Sequence, residues 1–224
     1  MEPLETNQVD DEKIPFMNPD LLLLFTRFPE PGKVKTRLIP ALGAEGAASL
    51  HRHLTAHILQ IIRNFVKTNN TDLIICFAGA HVQVMRQAFG IDYQYQTQAE
   101  GDLGHRMSVA FADSLAQGRR RVVLIGSDCP GITAKVLDSA FFHLSHYDLV
   151  LGPATDGGYY LIGLRAPSPE LFQNLTWGTA DVLSLTLARA AGLGLRTILL
   201  EPLPDIDRPE DLPFWEKYIS TSNE

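Results

Sequence analysis

Residues 20–38 read DLLLLFTRFPEPGKVKTRL, and this stretch decides the fold. The apolar run at 21–25 predicts a buried first strand of an α/β domain, because strands covered on both faces are almost continuously hydrophobic. Four of the chain's 19 basic residues follow within eleven positions, although the net charge is −7: Arg27, Lys33, Lys35 and Arg37. Open α/β sheets bind ligands at the carboxyl ends of their strands, and an acidic protein that handles an anion must gather positive charge locally. We therefore expect this loop to hold the phosphates of a nucleotide.

Size and composition predict one globular domain at 19–224, because a chain of 224 residues that is 45% hydrophobic can bury a sizeable core. Residues 1–18 are polar and mostly acidic without periodicity, which predicts a disordered leader. Cys76 and Cys129 are too far apart for a disulfide framework or a metal-ligand pair, which fits a reduced, cytoplasmic setting. Without an apolar run of about 18 residues we expect no membrane span, and the acidic balance argues against a nucleic-acid partner.

Strands alternate with helices in the first 150 residues, which predicts a parallel, doubly wound sheet. The apolar pattern predicts helices at 44–66, 81–89, 101–115, 133–144, 179–191 and 208–218. It predicts strands at 72–77, 93–96, 122–125, 148–151, 159–164 and 195–200. The turn at Gly157 and Gly158 implies a small antiparallel element in the second half.

The loop at 32–37, GKVKTR, is not a standard phosphate loop. Val34 stands where a Walker A sequence needs Ser or Thr, and the first strand does not lead into G-x-G-x-x-G. A solvated turn with scattered lysines is the alternative. It leaves unexplained why Val34 and Leu38 interleave with cations.

Gly126-Ser127-Asp128-Cys129-Pro130 follows the central strand directly. An aspartate at that point can bind a divalent cation that bridges phosphate oxygens. The alternative is a local turn in which Asp128 bonds its own backbone.

Two glycine-bearing segments offer further contacts. The helix entry Gly101-Asp102-Leu103-Gly104 could present amide groups to a nucleotide, unless Asp102 merely caps the helix. Residues 153–160, PATDGGYY, combine an acid, close-approach glycines and two tyrosines. Asp156 there could bind metal, accept a substrate hydroxyl or act as a general base, or it could simply form an Asp-Gly turn.

Asp205 and Asp207 close the set of candidate acids. Asp207 is followed by Pro209 and Glu210, which favours a helix-capping role for it and leaves Asp205 as the better second metal ligand beside Asp128. His51, His53 and His57 lack the pattern H-E-x-x-H and favour surface positions. Trp177 and Trp215 favour core or rim packing.

Together these motifs resemble the bacterial glycosyltransferase-like family often called the radical-SAM/selenodomain-associated transferases. The resemblance rests on TRFPEPGKVKTRL at 26–38, GDLG at 101–104, GSDCP at 126–130, GPATDGGYY at 152–160 and the acids at 205–212. That family is similar to GT-A nucleotide-diphospho-sugar transferases and to guanylyltransferases that act on phospholactate or the molybdenum cofactor. One departure is Arg27, where lysine is commoner; arginine keeps the charge and permits bidentate phosphate contacts.

The resemblance implies a Rossmann-like three-layer α/β/α sandwich, a nucleotide or nucleotide sugar in the cleft, and Mg²⁺ or Mn²⁺ held by the Asp128 motif. The expected metal ligands are Asp128, Asp205 and Asp207, and the expected catalytic residues are Lys33, Lys35, Arg37, Asp128 and Asp156. The residues expected to contact the nucleotide are Arg27, Gly32, Lys33, Lys35, Thr36, Arg37, Gly101, Asp102, Gly104, Gly157 and Gly158.

We expect a metal-dependent transferase that moves a sugar from a nucleotide-diphospho-sugar to a small acceptor. The basic residues would neutralise the diphosphate, and Asp156 would orient or deprotonate the acceptor hydroxyl. A nucleotidylyltransferase that joins NMP to a phosphorylated small molecule with release of pyrophosphate needs the same residue types. A nucleotide-binding module without catalysis is the third alternative.

Overall fold

The computed structural model describes residues 18–221, with side chains described through Tyr218. Except for Asn18, the leader predicted at 1–18 lies outside the described residues. The strands are β1 (Asp20–Arg27), β2 (Asp72–Ala78), β3 (Gln94–Thr97), β4 (Arg121–Gly126), β5 (Leu149–Pro153), β6 (Tyr159–Leu164) and β7 (Thr197–Leu199). The helices are α1 (Ile39–Asn69), α2 (Val82–Phe89), α3 (Leu103–Ala116), α4 (Ala134–His143), α5 (Val182–Gly192) and α6 (Leu212–Thr221).

The strands form one seven-stranded sheet in the order β3-β2-β1-β4-β6-β5-β7. Every neighbouring pair is parallel except those of β6, which is antiparallel to both β4 and β5. This confirms the predicted mostly parallel α/β architecture with a small antiparallel element.

The opening strand is buried on both faces because successive side chains point to opposite sides of the sheet. Leu22 and Leu24 pack into a core that includes residues of α1 and α4. Leu21, Leu23 and Phe25 pack into a second core that includes residues of α3 and α5. The sheet therefore lies between two helical layers.

The pairing of β1 with β4 places the two main motifs at one edge of the sheet. The strands are parallel neighbours, with Phe25 opposite Gly126. The basic loop after β1 and the Gly126–Pro130 loop after β4 consequently leave the sheet side by side. Because β6 runs the other way, its first residue, Tyr159, starts at the same edge.

The first helix is longer than the pattern at 44–66 predicts. It begins at Ile39 and kinks at Gly43, which has a positive φ of 70°. Glycine adopts positive φ values readily because it has no Cβ. None of the helices in the described part of the chain is both long and apolar enough to cross a bilayer.

Candidate active site

A cleft of about 550 Å³ opens at this edge of the sheet. Its walls come from the loop after β1, the loop after β4, the start of β6 and the segment before α6. Eight residues predicted for the site line it: Arg27, Lys33, Lys35, Asp128, Asp156, Gly158, Asp205 and Asp207. The basic turn and the acids predicted as metal ligands thus meet in one cavity.

Seven predicted residues do not line this cleft: Gly32, Thr36, Arg37, Gly101, Asp102, Gly104 and Gly157. Asp102 caps α3, accepting a hydrogen bond of 2.8 Å from the amide of His105. A Cβ at Gly104 would lie 2.6 Å from the carbonyl oxygen of Phe172, and one at Gly157 would lie 2.2 Å from that of Ala180. These two glycines allow close packing within the protein.

Lys35 lies at the centre of the basic turn and points into the protein. Its backbone is left-handed (φ 47°) and its side chain is only 3% exposed. The ammonium group donates to the carbonyl oxygen of Ile206 at 2.5 Å and pairs with Asp128 at 2.9 Å. A longer ion pair of 3.8 Å reaches Asp207. Lys35 therefore ties the loop after β4 to the segment before α6.

The Asp128 carboxyl is kept ionised by its neighbours. Burial alone would raise its pKa, but the charge of Lys35 and the adjacent His51 ring outweigh that effect and hold the pKa well below its ordinary value. The side chain is still 47% exposed. An ionised, accessible carboxylate at this position can bind a cation.

Asp207 does not have the capping role that the sequence predicts. The carboxylate of Asp211 accepts from the amides of Asp207 and Arg208 at 3.0 and 2.7 Å, so the cap is one position further on. The Asp207 carboxylate instead bonds Arg37 at 2.5 Å. The capping prediction was wrong because the helical turn begins at Pro209, which makes Arg208 the N-cap and Asp211 the acid three positions after it.

Asp205 is a carboxylate in the cleft without a direct cationic partner: among the described residues, no basic group forms an ion pair with it. Burial and the nearby charges of Asp156 and Asp207 raise its pKa to about 6. A crowded carboxylate of this kind gains from an added cation, which favours Asp205 over Asp207 as the partner of Asp128.

Asp156 combines a turn with access to the cleft. Its Oδ1 accepts from the amide of Gly158 at 2.8 Å, which is the turn that the sequence offered as an alternative. Beside it, the hydroxyl of Tyr160 donates to the carbonyl of Glu201 at 3.1 Å, and the ring of Tyr159 meets Trp177 edge-on at 6.3 Å. Asp156 thus shares the cleft with three aromatic side chains, those of Tyr159, Tyr160 and Trp177.

Among the residues that line the cleft without having been predicted for the site are His51, Gln98, Arg106 and Trp177. The surface position predicted for His51 is wrong, since it is 5% exposed. Nothing near Gln98 in the sequence marks it as a site residue. Arg106 was noticeable only as a charge in the segment after Gly101, and Trp177 was assigned to packing alone.

The donor set fits a particular kind of metal site. Within residues 18–218, no group of three or more His, Cys, Asp and Glu side chains is arranged to hold a metal ion. Mg²⁺ is usually bound through one or two carboxylates, with substrate phosphates and water completing the shell. Asp128 and Asp205, on opposite loops of one cleft, fit that pattern.

Residues 61–179 match the model of DUF2064, described as an uncharacterized protein conserved in bacteria. The chain belongs to this family. The chain is similar to a solved "putative nucleotide-diphospho-sugar transferase" from Desulfovibrio desulfuricans G20, with 36% identity and a TM-score of 0.80. The match covers 86% of this chain and 84% of that one. No curated protein matches by sequence.

More distant solved structures share the fold of this DUF2064 member. A CMP-2-keto-3-deoxy-manno-octonic acid synthetase complexed with CTP aligns at 10% identity with a TM-score of 0.57, over 91% of this chain and 99% of that one. Rv0371c of Mycobacterium tuberculosis H37Rv, in complex with manganese, aligns at 15% identity with a TM-score of 0.54, over 87% and 97%. The predicted fold class is therefore confirmed, and the finer subfamily stays a prediction.

Proposed function

We propose that this protein is a divalent-cation-dependent transferase that uses a nucleotide-diphospho-sugar and passes the sugar to a hydroxyl of a small acceptor. The observation that carries the proposal is the meeting of the basic turn and Asp128 in one cleft. The 36% identity to the Desulfovibrio protein supports the donor class.

The donor side of the cleft is the region around the loop after β1. Arg27 and Lys33 line it. The Lys33 side chain is 63% exposed and its ammonium group pairs with Glu30 at 2.9 Å, a surface contact that a stronger anion can displace. Arg27 is exposed at the end of β1. Both side chains can therefore reach a diphosphate in the cleft.

Asp128 and Asp205 would hold the cation. When bound, it would neutralise charge on the diphosphate as the nucleotide leaves, which is the largest contribution expected in such chemistry. Lys35 keeps the Asp128 loop in place through its contacts with Asp128 and Ile206. Its role in this proposal is to position Asp128.

The acceptor side favours a hydroxyl over a phosphorylated nucleophile. Asp156 and Asp205 lie close enough for the charge of Asp156 to raise the pKa of Asp205. With Asp205 bound to the cation, the Asp156 carboxylate at that wall would still repel a phosphate monoester, whereas a hydroxyl can donate to it. Asp156 would orient the acceptor or remove its proton.

The reaction products test the proposal. Purified protein with Mn²⁺, a panel of nucleotide-diphospho-sugars and small alcohols should release nucleoside diphosphate and form a sugar adduct. Pyrophosphate release from an NTP and a phosphorylated acceptor would instead show nucleotidyl transfer. Tight binding without turnover across both panels would identify a binding module and contradict the proposal.

A further inference from the structure

His51 is a buried polar group at the floor of the cleft that the proposed chemistry has not yet used. It is on α1, its side chain is 6% exposed, and it lines the cavity. A buried imidazole needs partners for both ring nitrogens, because unsatisfied polar atoms in an interior are costly.

The first ring nitrogen has a clear partner. Nε2 lies 3.1 Å from the backbone carbonyl oxygen of Arg27, which can only accept a hydrogen bond. Nε2 therefore carries a hydrogen and donates it. The hydroxyl oxygen of Thr26, 3.4 Å away, lies on the same side of the ring.

The second ring nitrogen has no hydrogen-bond partner among the described residues. Nδ1 lies 3.7 Å from Oδ1 of Asp128. In a neutral ring with hydrogen on Nε2, Nδ1 presents a lone pair, and a carboxylate oxygen does the same. Oδ1 of Asp128 already pairs with the Lys35 ammonium at 2.9 Å, whose other contacts go to Ile206 and Asp207, so among the described residues that ammonium does not serve Nδ1. The lone pair of Nδ1 is thus buried beside an ionised carboxylate without a positive group of its own.

The hydrogen bonds around the His51 ring are those typical of a metal-binding histidine. A metal-binding histidine typically donates its other N–H to a backbone carbonyl or carboxylate, which fixes the tautomer. Here Arg27 supplies that carbonyl. The Thr26 hydroxyl beside Nε2 is itself held by two buried hydroxyls. Its Oγ1 lies 3.2 Å from Oγ1 of Thr55 and 3.2 Å from Oγ of Ser127.

We infer that Nδ1 of His51 is a nitrogen ligand, beside the Asp128 carboxylate, for the divalent cation of this site. The inference rests on the proposed function, which supplies the cation. It makes a site of mixed nitrogen and oxygen ligands, and such a site favours a transition-metal ion over Mg²⁺, which prefers oxygen. His51 on α1 would then determine how strongly this protein prefers Mn²⁺ over Mg²⁺.

Pulsed electron paramagnetic resonance of the full chain loaded with Mn²⁺ tests this directly. The wild-type protein should show nitrogen hyperfine coupling that changes when its histidines carry ¹⁵N. His51→Gln should abolish the coupling and weaken Mn²⁺ binding at least about tenfold. A loss of that size is already typical when a residue that only hydrogen-bonds a metal ligand is replaced. The same substitution should weaken Mg²⁺ binding less. His53→Gln, on an exposed position of the same helix, is the matched control and should change nothing.

The wild-type spectrum decides the matter even if His51→Gln fails to fold. Mn²⁺ bound to Asp128 without histidine coupling would overturn the inference, leave the proposed function intact, and show that Nδ1 carries a proton toward the carboxylate. Failure of Mn²⁺ to bind at all, with or without a nucleoside diphosphate, would overturn both.

Discussion

The ammonium nitrogen of Lys35 lies 2.9 Å from Oδ1 of Asp128, so the basic turn and the acidic loop are joined by a direct ion pair. The lysine side chain is buried whereas the aspartate is half exposed. Within the basic turn, Lys35 therefore has a structural role, whereas Lys33 remains available to a ligand.

Lys35→Met should therefore destabilise the protein, while Lys33→Met should not. Removing the buried ammonium leaves Asp128 and Asp207 without their shared partner, and we expect a loss of roughly 1–3 kcal/mol in the free energy of unfolding. Lys33 is 63% exposed, so its loss should cost less than about 0.5 kcal/mol. Urea denaturation measures both, and equal losses would contradict the distinction.

The stability difference between wild type and Lys35→Met should depend on pH. The folded-state pKa of Asp128 is depressed, so its ion pair stabilises the fold above the ordinary aspartate pKa of about 3.9. That contribution is lost as the pH falls through the lower, folded-state pKa. The two unfolding curves should converge below about pH 4, and a gap that stays constant down to pH 2 would contradict the assignment.

Asp205→Asn should stabilise the metal-free protein at alkaline pH. The pKa of Asp205 is raised to about 6, so its ionised form is unfavourable in the folded state above that pH and the cost is relieved as the pH falls. In EDTA, the variant should melt about 2 °C or more above wild type at pH 8, and the gain should vanish near pH 4. Adding Mn²⁺ should raise the melting temperature of the wild type more than that of the variant.

Gly157→Ala should destabilise the turn that carries Asp156. The φ of Gly157 is +94°, and a Cβ there would lie 2.2 Å from the carbonyl oxygen of Ala180, which is backbone and cannot easily move. We expect a loss of about 2 kcal/mol or more. Gly192→Ala, with no atom within 4 Å of the added methyl group, should be neutral or slightly stabilising by thermal melting.

The sequence predicted the fold well because its strongest signals are local. Apolar runs such as 21–25 and 122–125 are long and uninterrupted, so every predicted helix and strand has a counterpart in the structure. The convergence of the basic turn with Asp128 followed from parallel strands sharing one edge.

The sequence predicted the site less completely because its details depend on tertiary packing. Lys35 points inward only because its left-handed backbone turns it toward Asp128 and Ile206. His51 looks like any helical surface histidine until α1 is packed against the end of β1. Asp207 and Asp211 have similar local patterns, and the position of Arg37 separates their roles.

The most direct test of the central claim is calorimetry of nucleoside diphosphate binding with and without Mn²⁺, on wild type, Asp128→Asn and Asp138→Asn. We expect Mn²⁺ to strengthen binding to the wild type and to the control Asp138→Asn, whose substituted residue is exposed on α4. In Asp128→Asn that strengthening should disappear. A nucleotide that binds Asp128→Asn with undiminished Mn²⁺ dependence would contradict the claim that the basic turn and this acid bind one phosphate chain through a cation.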